Sequence, residues 1–363
     1  MKFPKLKLDI DWVLVVAPIL LSVAGIATLF SITSFSGRTD LATSQVGYFI
    51  AGMIVYFLLA FYDYKGLRSY SWYLYLVGIV FLVLVAFFGM QIFGSKRWID
   101  LKIFQFQPSE TMKFIFLIFS TRFIAGRTSL SPQRILVYIF LAAVPIVLIL
   151  LEPDLGTALT AFIMVVALLM AVRISKKYFL VAAIILILFA PLGWKFLKPY
   201  QKTRITSFVN PASDPLGSGY NVNQSRIAVG SGGLYGKGFG EATQSQLQFL
   251  PIAQIDFIFA GWAEATGFVG SIVLIAVYGV LIWRIFAISN LALDESGRVI
   301  CVGVGTVFLF QSFVNIGMNI GLMPVTGIPL PLVSYGGTSF ITSAALLGLV
   351  QSAYIRRKSL KFE

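Results

Sequence analysis

The sequence lacks histidine, and its one cysteine, Cys301, lies within an apolar run. One cysteine cannot form an internal disulfide, and the lack of histidine essentially excludes a zinc site or a Cys/His nucleophile pair. Charge is also scarce, because only 12% of the 363 residues are charged, about half the share of an average soluble domain. Carboxylates are then the protein groups that remain for hard cations such as Mg²⁺ or Mn²⁺, which prefer oxygen ligands.

What the sequence has in abundance is long apolar runs. Hydrophobic residues make up 58% of the chain and the mean hydropathy is +0.88, values typical of an integral membrane protein. We predict an all-α polytopic membrane protein, a single domain over residues 1–363, with about ten transmembrane helices. The predicted spans are 12–33, 46–62, 72–90, 111–124, 135–151, 155–172, 179–197, 257–286, 299–323 and 338–355.

The distribution of lysine and arginine predicts the orientation of these spans. A net charge of +13 alone suggests a nucleic-acid partner, but basic residues collect in the two tails and in the short loops on the same side. Because short cytoplasmic loops are enriched in Lys and Arg, we expect both termini in the cytoplasm and no nucleic-acid partner.

Polar sequence rich in glycine and proline is concentrated on the opposite, extracytoplasmic side. The largest such segment is a loop over residues 198–256, and four shorter segments accompany it. Sequence of this kind on one face suggests a site that loops assemble on a rigid helical scaffold. The shorter segments are 94–99, 107–110, 152–157 and 324–337.

The large loop ends at a single carboxylate, Asp256, directly before an apolar run that begins Phe257-Ile-Phe-Ala260. A carboxylate at a membrane boundary is costly to desolvate, which makes Asp256 a candidate functional residue. An acidic side chain in this position also suits the N-terminus of the following helix, where it satisfies free N–H groups. Position alone leaves the catalytic and the capping interpretation open.

Two further groups of acidic residues lie at predicted helix ends. Glu110 and Lys113 are three residues apart, so they share a helix face and can form an ion pair. Pro153 interrupts an apolar run between Glu152 and Asp154, and the carboxylates suit the N-terminus of the next span. Capping is the favoured role for Asp154.

Cations also lie on this face, in two sequence contexts. Arg97-Trp98 is typical of an interfacial anchor, and the planar guanidinium also suits a pyrophosphate. Glycines crowd around Lys237 in residues 231–240, where backbone N–H groups can approach a phosphate or where the turns simply require glycine. With Arg204, these cations suit an anionic lipid-linked substrate or the cargo of an anion transporter.

Taken in order, these motifs resemble the SEDS family (shape, elongation, division and sporulation) over almost the whole chain. Any one motif is weak, but the ordered set is highly specific. It comprises Lys96-Arg-Trp-Ile99, Gln107-Pro-Ser-Glu110 followed by Lys113, Glu152-Pro-Asp-Leu-Gly-Thr157, Gln224-Ser225, the Gly230–Gly240 loop, Asp256-Phe-Ile-Phe259, and Pro324-Val-Thr-Gly-Ile-Pro-Leu-Pro331 with Ser334-Tyr-Gly-Gly337.

Within the family, the chain is most similar to the elongation members. The run Gln244-Ser-Gln-Leu-Gln-Phe-Leu-Pro251 is of their type. One departure concerns the residues before the aspartate, where the family usually reads Pro-Glu-x-His-Thr-Asp and this chain reads Pro251-Ile-Ala-Gln-Ile-Asp256. The missing Glu, His and Thr argue against an essential role for those neighbours, while the aspartate is retained.

The resemblance implies a peptidoglycan glycosyltransferase that polymerises lipid II outside the bacterial cytoplasmic membrane during cell-wall elongation. Lipid II carries its disaccharide-peptide on undecaprenyl pyrophosphate. By the same resemblance Asp256 is the catalytic residue, and a carboxylate general base suits an inverting transfer in which a sugar hydroxyl loses its proton. A divalent cation, Mg²⁺ or Mn²⁺, would offset charge on the leaving pyrophosphate; no organic cofactor is expected.

The resemblance also suggests roles for the remaining motif residues, with Arg97, Arg204 and Lys237 as the phosphate ligands. Metal ligands are not assigned. The expected substrate-binding residues are Arg97, Trp98, Arg204, Gln224, Ser225, Lys237 and Ser334, and the groove-shaping residues are Glu110, Lys113, Glu152 and Asp154.

The family further implies a class B penicillin-binding protein, a single-span transpeptidase, as partner within the elongation machinery. The main alternative function is a lipid II flippase or transporter, and a non-enzymatic scaffold is a third. A transporter should place ionisable groups near the bilayer midplane, in discontinuous helices related by internal repeats. Here the acidic residues gather at the outer rim and no inverted repeat stands out, which favours the polymerase.

Overall fold

The structure is a computed structural model that is almost entirely helical, as predicted. It describes residues 9–34, 39–92, 95–100, 102, 105–125, 131–171, 195, 198–210, 217–247, 249–250 and 253–357. In chain order the elements are α1 (Val13–Ser34), α2 (Thr39–Phe61), α3 (Tyr64–Ser69), α4 (Ser71–Phe88), β1 (Met90–Ile92), β2 (Ser95–Asp100), β3 (Gln105–Phe106), α5 (Pro108–Ile124), α6 (Pro132–Leu151), α7 (Leu155–Ala171), α8 (Pro199–Val209), α9 (Ser218–Ser231), α10 (Thr243–Gln246), α11 (Ile258–Leu291), α12 (Glu295–Asn319) and α13 (Gly337–Ile355).

A helix occupies every predicted span except 179–197, which lies outside the described residues. Among the described helices, 7 are long and apolar enough to cross a membrane, and α5 and α7 are shorter, with 17 residues each. The predicted loop 198–256 contains three helices, α8 to α10. Its extracytoplasmic location stays a prediction.

The small sheet was not predicted from the sequence. β1 pairs with β2 and β2 with β3, both antiparallel, and Ile99 lies opposite Phe106. The sheet carries Arg97 and Trp98 on β2 and leads directly into α5. It therefore fixes the position of a motif that the sequence analysis could place only in a loop.

Small residues allow the helices of the bundle to approach closely. A Cβ atom added to Gly348 of α13 would lie 2.6 Å from the Tyr56 carbonyl oxygen of α2. One added to Gly52 of α2 would lie 2.7 Å from the Phe340 ring of α13. Such close contacts replace the hydrophobic driving force that is absent between helices in lipid.

Helix α11 is broken at Gly267, where the backbone takes φ 69° and ψ −162°. The loop around Lys237 closes the break. Lys237 N donates to Glu264 O (3.0 Å) and Gly238 N to Ala265 O (2.9 Å), while Phe268 N donates to Gly233 O (2.9 Å). The loop thus satisfies backbone groups that a helix end would leave unpaired.

The predicted span 257–286 falls on α11, which is a candidate membrane helix over Ile258–Leu291, and the break divides this helix into a short section, 258–266, and a long section, 268–291. Residues 268–291 and α12 are joined by a short connection, and each is long enough, at roughly 36 Å, to span the hydrocarbon core. Their far ends therefore reach a similar height, which we call the site end of the bundle. The section 258–266 lies at the site end, since Ala260 N donates a hydrogen bond to Asn319 Oδ1 at the end of α12.

We predict that Gly267→Ala strongly destabilises the protein. The conformation at this position is accessible almost only to glycine, with a cost of about 1–3 kcal/mol for other residues, and the added Cβ would lie 2.3 Å from Gly236 N. The matched control is Gly279→Ala in the same helix, where a Cβ meets nothing within 4 Å. That change should be neutral or stabilising by roughly 0.5–1 kcal/mol. Thermal unfolding in detergent measures both, and equal melting temperatures for the two variants would contradict this reading of the break.

Candidate functional site

Asp256 lies in the turn formed by residues 253–257, directly before α11. The capping interpretation does not describe its side chain, because the N-cap position is Phe257 and no side chain caps this helix. The Asp256 side chain is partly exposed. Its backbone, by contrast, is held firmly on two sides.

Two asparagines of α12 hold the turn from one side. Asn315 Nδ2 donates to Asp256 O (3.0 Å) and to Ile328 O (2.7 Å), and Asn319 Nδ2 donates to Asp256 O (3.1 Å). Both side chains have 0% exposure. The sequence analysis missed them, although two amides four residues apart on one face of an apolar helix are an available signal.

The segment 324–336 holds the turn from the other side. Ser334 Oγ donates to Ile255 O (2.6 Å), and Tyr335 N donates to Gln254 O (2.9 Å). Gly327 has φ 73°, and a Cβ added there would lie 3.7 Å from Asp256 Oδ2. Ser334, predicted to bind substrate, is thus buried and supports the Asp256 turn.

Asp154 has the capping role that was favoured for it. Asp154 Oδ1 accepts from Thr157 N (3.1 Å) in the first turn of α7, and Oδ2 accepts from Gln107 Nε2 (3.1 Å). Arg97 joins this turn, with Nη1 3.7 Å from Asp154 Oδ1 and Nε donating to Glu152 O (3.1 Å). The Arg97 guanidinium therefore links the sheet to the start of α7.

Glu152 presents a buried carboxyl group. Both carboxyl oxygens are buried, and neither has a hydrogen-bond partner among the described residues. The Glu152 pKa is raised to about 9 by burial, the larger cause, and by the charge of Asp154, while Arg97 opposes the shift. The side chain is therefore neutral at pH 7 and adds no negative charge beside Asp154.

Charges from four segments meet around Asp256. Burial raises the Asp256 pKa, the positive charges of Arg204 and Arg97 lower it and Asp154 raises it, and the net result is a pKa of about 6. Arg204 comes from α8 and donates through Nη1 to Thr326 O (3.1 Å). At neutral pH Asp256 is thus an ionised carboxylate with a pKa near the range that suits a general base.

Lys237 forms an ion pair with Glu264, at a different place from Asp256. Its Nζ lies 3.1 Å from Glu264 Oε1, and the Glu264 carboxylate is fully buried. Glu264 also accepts from Gln244 N (2.9 Å), Ser245 N (3.0 Å) and Ser245 Oγ (2.7 Å). The carboxylate thereby ties the loop around Lys237 and α10 to α11, a role that its sequence position alone did not indicate.

The remaining predicted residues lie around this centre. Glu110 and Lys113 form the expected ion pair at 2.8 Å, and both are buried. Ser225 Oγ donates to Asn319 O (2.7 Å), next to the partly exposed Gln224. Trp98 is partly exposed on β2. Their roles toward a substrate or a groove stay predictions.

A metal held by protein ligands alone does not fit the described part of the site. No group of three or more His, Cys, Asp or Glu residues lies together there. Asp154 acts electrostatically on Asp256, but so do the cations Arg97 and Arg204. We therefore derive no chemical step through a metal.

Comparisons with known proteins show which family and which folds this chain is similar to. The family model FTSW_RODA_SPOVE, described as cell cycle protein, matches residues 9–359. Peptidoglycan glycosyltransferase MrdB of Escherichia coli is 40% identical over 322 residues, which cover 87% of this chain and 86% of MrdB. The crystal structure of Thermus thermophilus rod shape determining protein RodA is 28% identical with a TM-score of 0.73, covering 97% of this chain and 99% of RodA. A chain from a solved peptidoglycan synthase complex is 31% identical with a TM-score of 0.82, covering 96% of this chain and 98% of its own length.

We predict that Asn319→Ala lowers stability by about 1–3 kcal/mol, because alanine cannot replace the buried hydrogen bonds that the Asn319 side chain makes to Asp256 O and Ala260 N. The matched control is Asn290→Ala, at an exposed position of α11, which should change stability by less than about 0.5 kcal/mol. Thermal unfolding in detergent measures both changes. An Asn319→Ala variant as stable as the control would mean that the asparagine does not hold the turn.

We also predict that Glu152→Gln makes stability less dependent on pH. The Glu152 pKa is 4.5 as an ordinary value and about 9 in the folded protein, so between these values the folded state holds more protons than the unfolded state. Stability of the wild type then falls as pH rises through this window, whereas Gln does not titrate.

The melting temperature of Glu152→Gln relative to wild type should therefore increase from about pH 5 to pH 9. Glu241→Gln, at an exposed position, serves as control and should show no such trend. Parallel melting curves for wild type and Glu152→Gln across this range would contradict the neutral, buried state of Glu152.

Proposed function

The chain belongs to the SEDS family, whose model matches residues 9–359, and we propose that it polymerises lipid II with Asp256 as the general base. The family relative MrdB is a peptidoglycan glycosyltransferase, and this chain has the same activity class. The observation that carries the proposal is the geometry of Asp256, whose backbone is fixed on two sides while its carboxylate remains partly exposed beside two arginines.

The reaction requires a base at the attacking sugar. As the 4-hydroxyl oxygen of one lipid II attacks the anomeric carbon of another, its proton moves to the Asp256 carboxylate. The bond from that carbon to the pyrophosphate oxygen breaks, and undecaprenyl pyrophosphate leaves with the electron pair. A single displacement converts the α-linked donor into a β-linked glycan, and a carboxylate with a pKa of about 6 is ionised and ready at neutral pH.

Positive charge near Asp256 suits the pyrophosphate. Arg97 and Arg204 both act electrostatically on Asp256, and a fixed guanidinium stabilises negative charge that develops on a leaving group. Arg97 donates hydrogen bonds to the backbone of the 152–154 turn, which fix its position. Its proposed role is therefore to stabilise the leaving pyrophosphate electrostatically from that position. Lys237 is the weaker candidate, since its partner is Glu264.

The proposed location follows from the charges at the two ends of the bundle. The end opposite Asp256 carries Arg68, Arg356 and Arg357, near the termini of α3 and α13. The positive-inside rule then supports a cytoplasmic location for this end, with both termini in the cytoplasm and Asp256 outside. We further propose a class B penicillin-binding protein as partner, supported by the similarity to a chain of a peptidoglycan synthase complex.

One observation favours the transporter alternative. Helix α11 is discontinuous, as helices at the substrate sites of transporters often are. The break lies near the site end, however, and the loop around Lys237 closes it with backbone hydrogen bonds. It therefore offers no open polar site at the midplane, and glycosyl transfer remains the better supported function.

We predict that Asp256→Asn abolishes glycan synthesis from labelled lipid II by the purified chain with a transpeptidase partner. Loss of a general base costs roughly 10²–10⁴-fold in rate. The matched control is Glu241→Gln, which removes an exposed carboxylate from the same loop and should retain activity. Addition of a chelator in a parallel reaction tests the predicted Mg²⁺ or Mn²⁺.

Three outcomes of this assay distinguish the functions. Glycan from wild type and Glu241→Gln but none from a folded, partner-binding Asp256→Asn supports the proposal. Full activity of Asp256→Asn contradicts the general-base role. Movement of lipid II across vesicles without any polymer would instead support the transporter.

A further inference from the structure

The loop of residues 232–240, the glycine-rich loop, lies against the break in α11, at the site end of the bundle. Gly233 O and Leu234 O accept hydrogen bonds from Phe268 N (2.9 Å) and Val269 N (3.1 Å), the first residues after the break. Ser31 Oγ, near the end of α1, donates to Phe239 O. Two membrane-crossing helices therefore fix the height of the loop at the site end of the bundle.

Large apolar side chains of this loop point away from the protein. Leu234 is 63% exposed and Tyr235 is 82% exposed. Phe268 and Val269, which lie beside them on the membrane-crossing part of α11, are 59% and 48% exposed. The loop thus extends the apolar surface that α11 presents to lipid, and Tyr suits the boundary of a bilayer because its ring is apolar and its hydroxyl is polar.

A third apolar side chain of the loop, Phe239, is also exposed and lies beside α1 and α11. The Phe239 ring lies 5.9 Å from the Trp262 ring, and both line a cavity of about 350 Å³ between α1 and α11. Its other walls include Leu20 and Val23 of α1 and Val273 of α11, all of them exposed on the membrane-crossing surface. An acyl chain matches such a cavity in chemistry and in position.

We propose that the glycine-rich loop is seated in the outer boundary of the bilayer. Leu234 and Tyr235 insert among the headgroups and upper acyl chains, and an acyl chain occupies the cavity beside Phe239. Glycine is then needed in the loop for more than its turns. Gly236 and Gly238 (φ 81° and 91°) let the loop backbone lie flat against α11. The seating holds whichever reaction the site performs, and only the choice of the outer boundary rests on the orientation proposed above.

Seating in lipid would also fix the height of Asp256 relative to the bilayer. The loop is tied through Lys237 to Glu264, on the section of α11 that begins directly after Asp256. A lipid-carried substrate presents its reacting groups just above the bilayer. A loop fixed to the bilayer boundary therefore holds the Asp256 section at the height where such groups emerge.

Fluorescence quenching in vesicles tests the seating directly. Leu234→Cys, Tyr235→Cys and the control Glu241→Cys are each labelled with an environment-sensitive fluorophore in the full chain, reconstituted in phosphatidylglycerol/phosphatidylethanolamine vesicles. The native Cys301 is buried and does not compete for label. All three positions are exposed, so the substitutions leave the fold intact.

We expect nitroxide lipids labelled near the headgroup to quench the fluorophores at positions 234 and 235 by roughly twofold or more over position 241. Iodide in the water should show the reverse order. Equal iodide quenching at all three positions would overturn the proposal, because the loop would then stand in water. Protection of positions 234 and 235 from both quenchers would overturn it as well, because protein and not lipid would cover the loop.

Discussion

The site depends on hydrogen bonds to the backbone of one turn. Asn315 and Asn319 donate to the Asp256 carbonyl, and Ser334 donates to the carbonyl of the residue before it. Because these contacts use main-chain atoms, they fix the carboxylate without occupying it. Burial alone would keep that carboxylate protonated more often, and the charges of Arg204 and Arg97 return its pKa to about 6. Fixing the backbone and balancing the charge together position an ionised carboxylate, as the proposed role of a general base requires.

Composition and motif order predicted the fold class, and they gave Asp256 as the candidate catalytic residue. Apolar runs identify membrane helices because hydrocarbon demands them over a fixed length, and every predicted span within the described residues is helical. Asp256 was identified because an isolated carboxylate at a membrane boundary is costly. Local spacing also predicted the Glu110–Lys113 pair and the capping role of Asp154.

Features that depend on contacts between distant segments could not be predicted from the sequence in the same way. Gly267 looks like any glycine in an apolar run, and its break exists because a loop some thirty residues earlier supplies the missing hydrogen bonds. Lys237 carried a charge that suited a phosphate, yet it pairs with Glu264, which is buried by α10 and the glycine-rich loop. Arg97 likewise meets Glu152 and Asp154 only because a small sheet places it there. Patterns within a single sequence contain no signal for these contacts between distant residues.

The most direct measurement is the initial rate of glycan synthesis from lipid II as a function of pH, with wild-type protein. We predict that the rate falls at low pH with an apparent pKa of about 6, because protonation of the buried Asp256 removes the base. A rate that stays constant down to about pH 4, the ordinary value of a carboxyl group, would contradict the account of Asp256 as a buried, charge-balanced base.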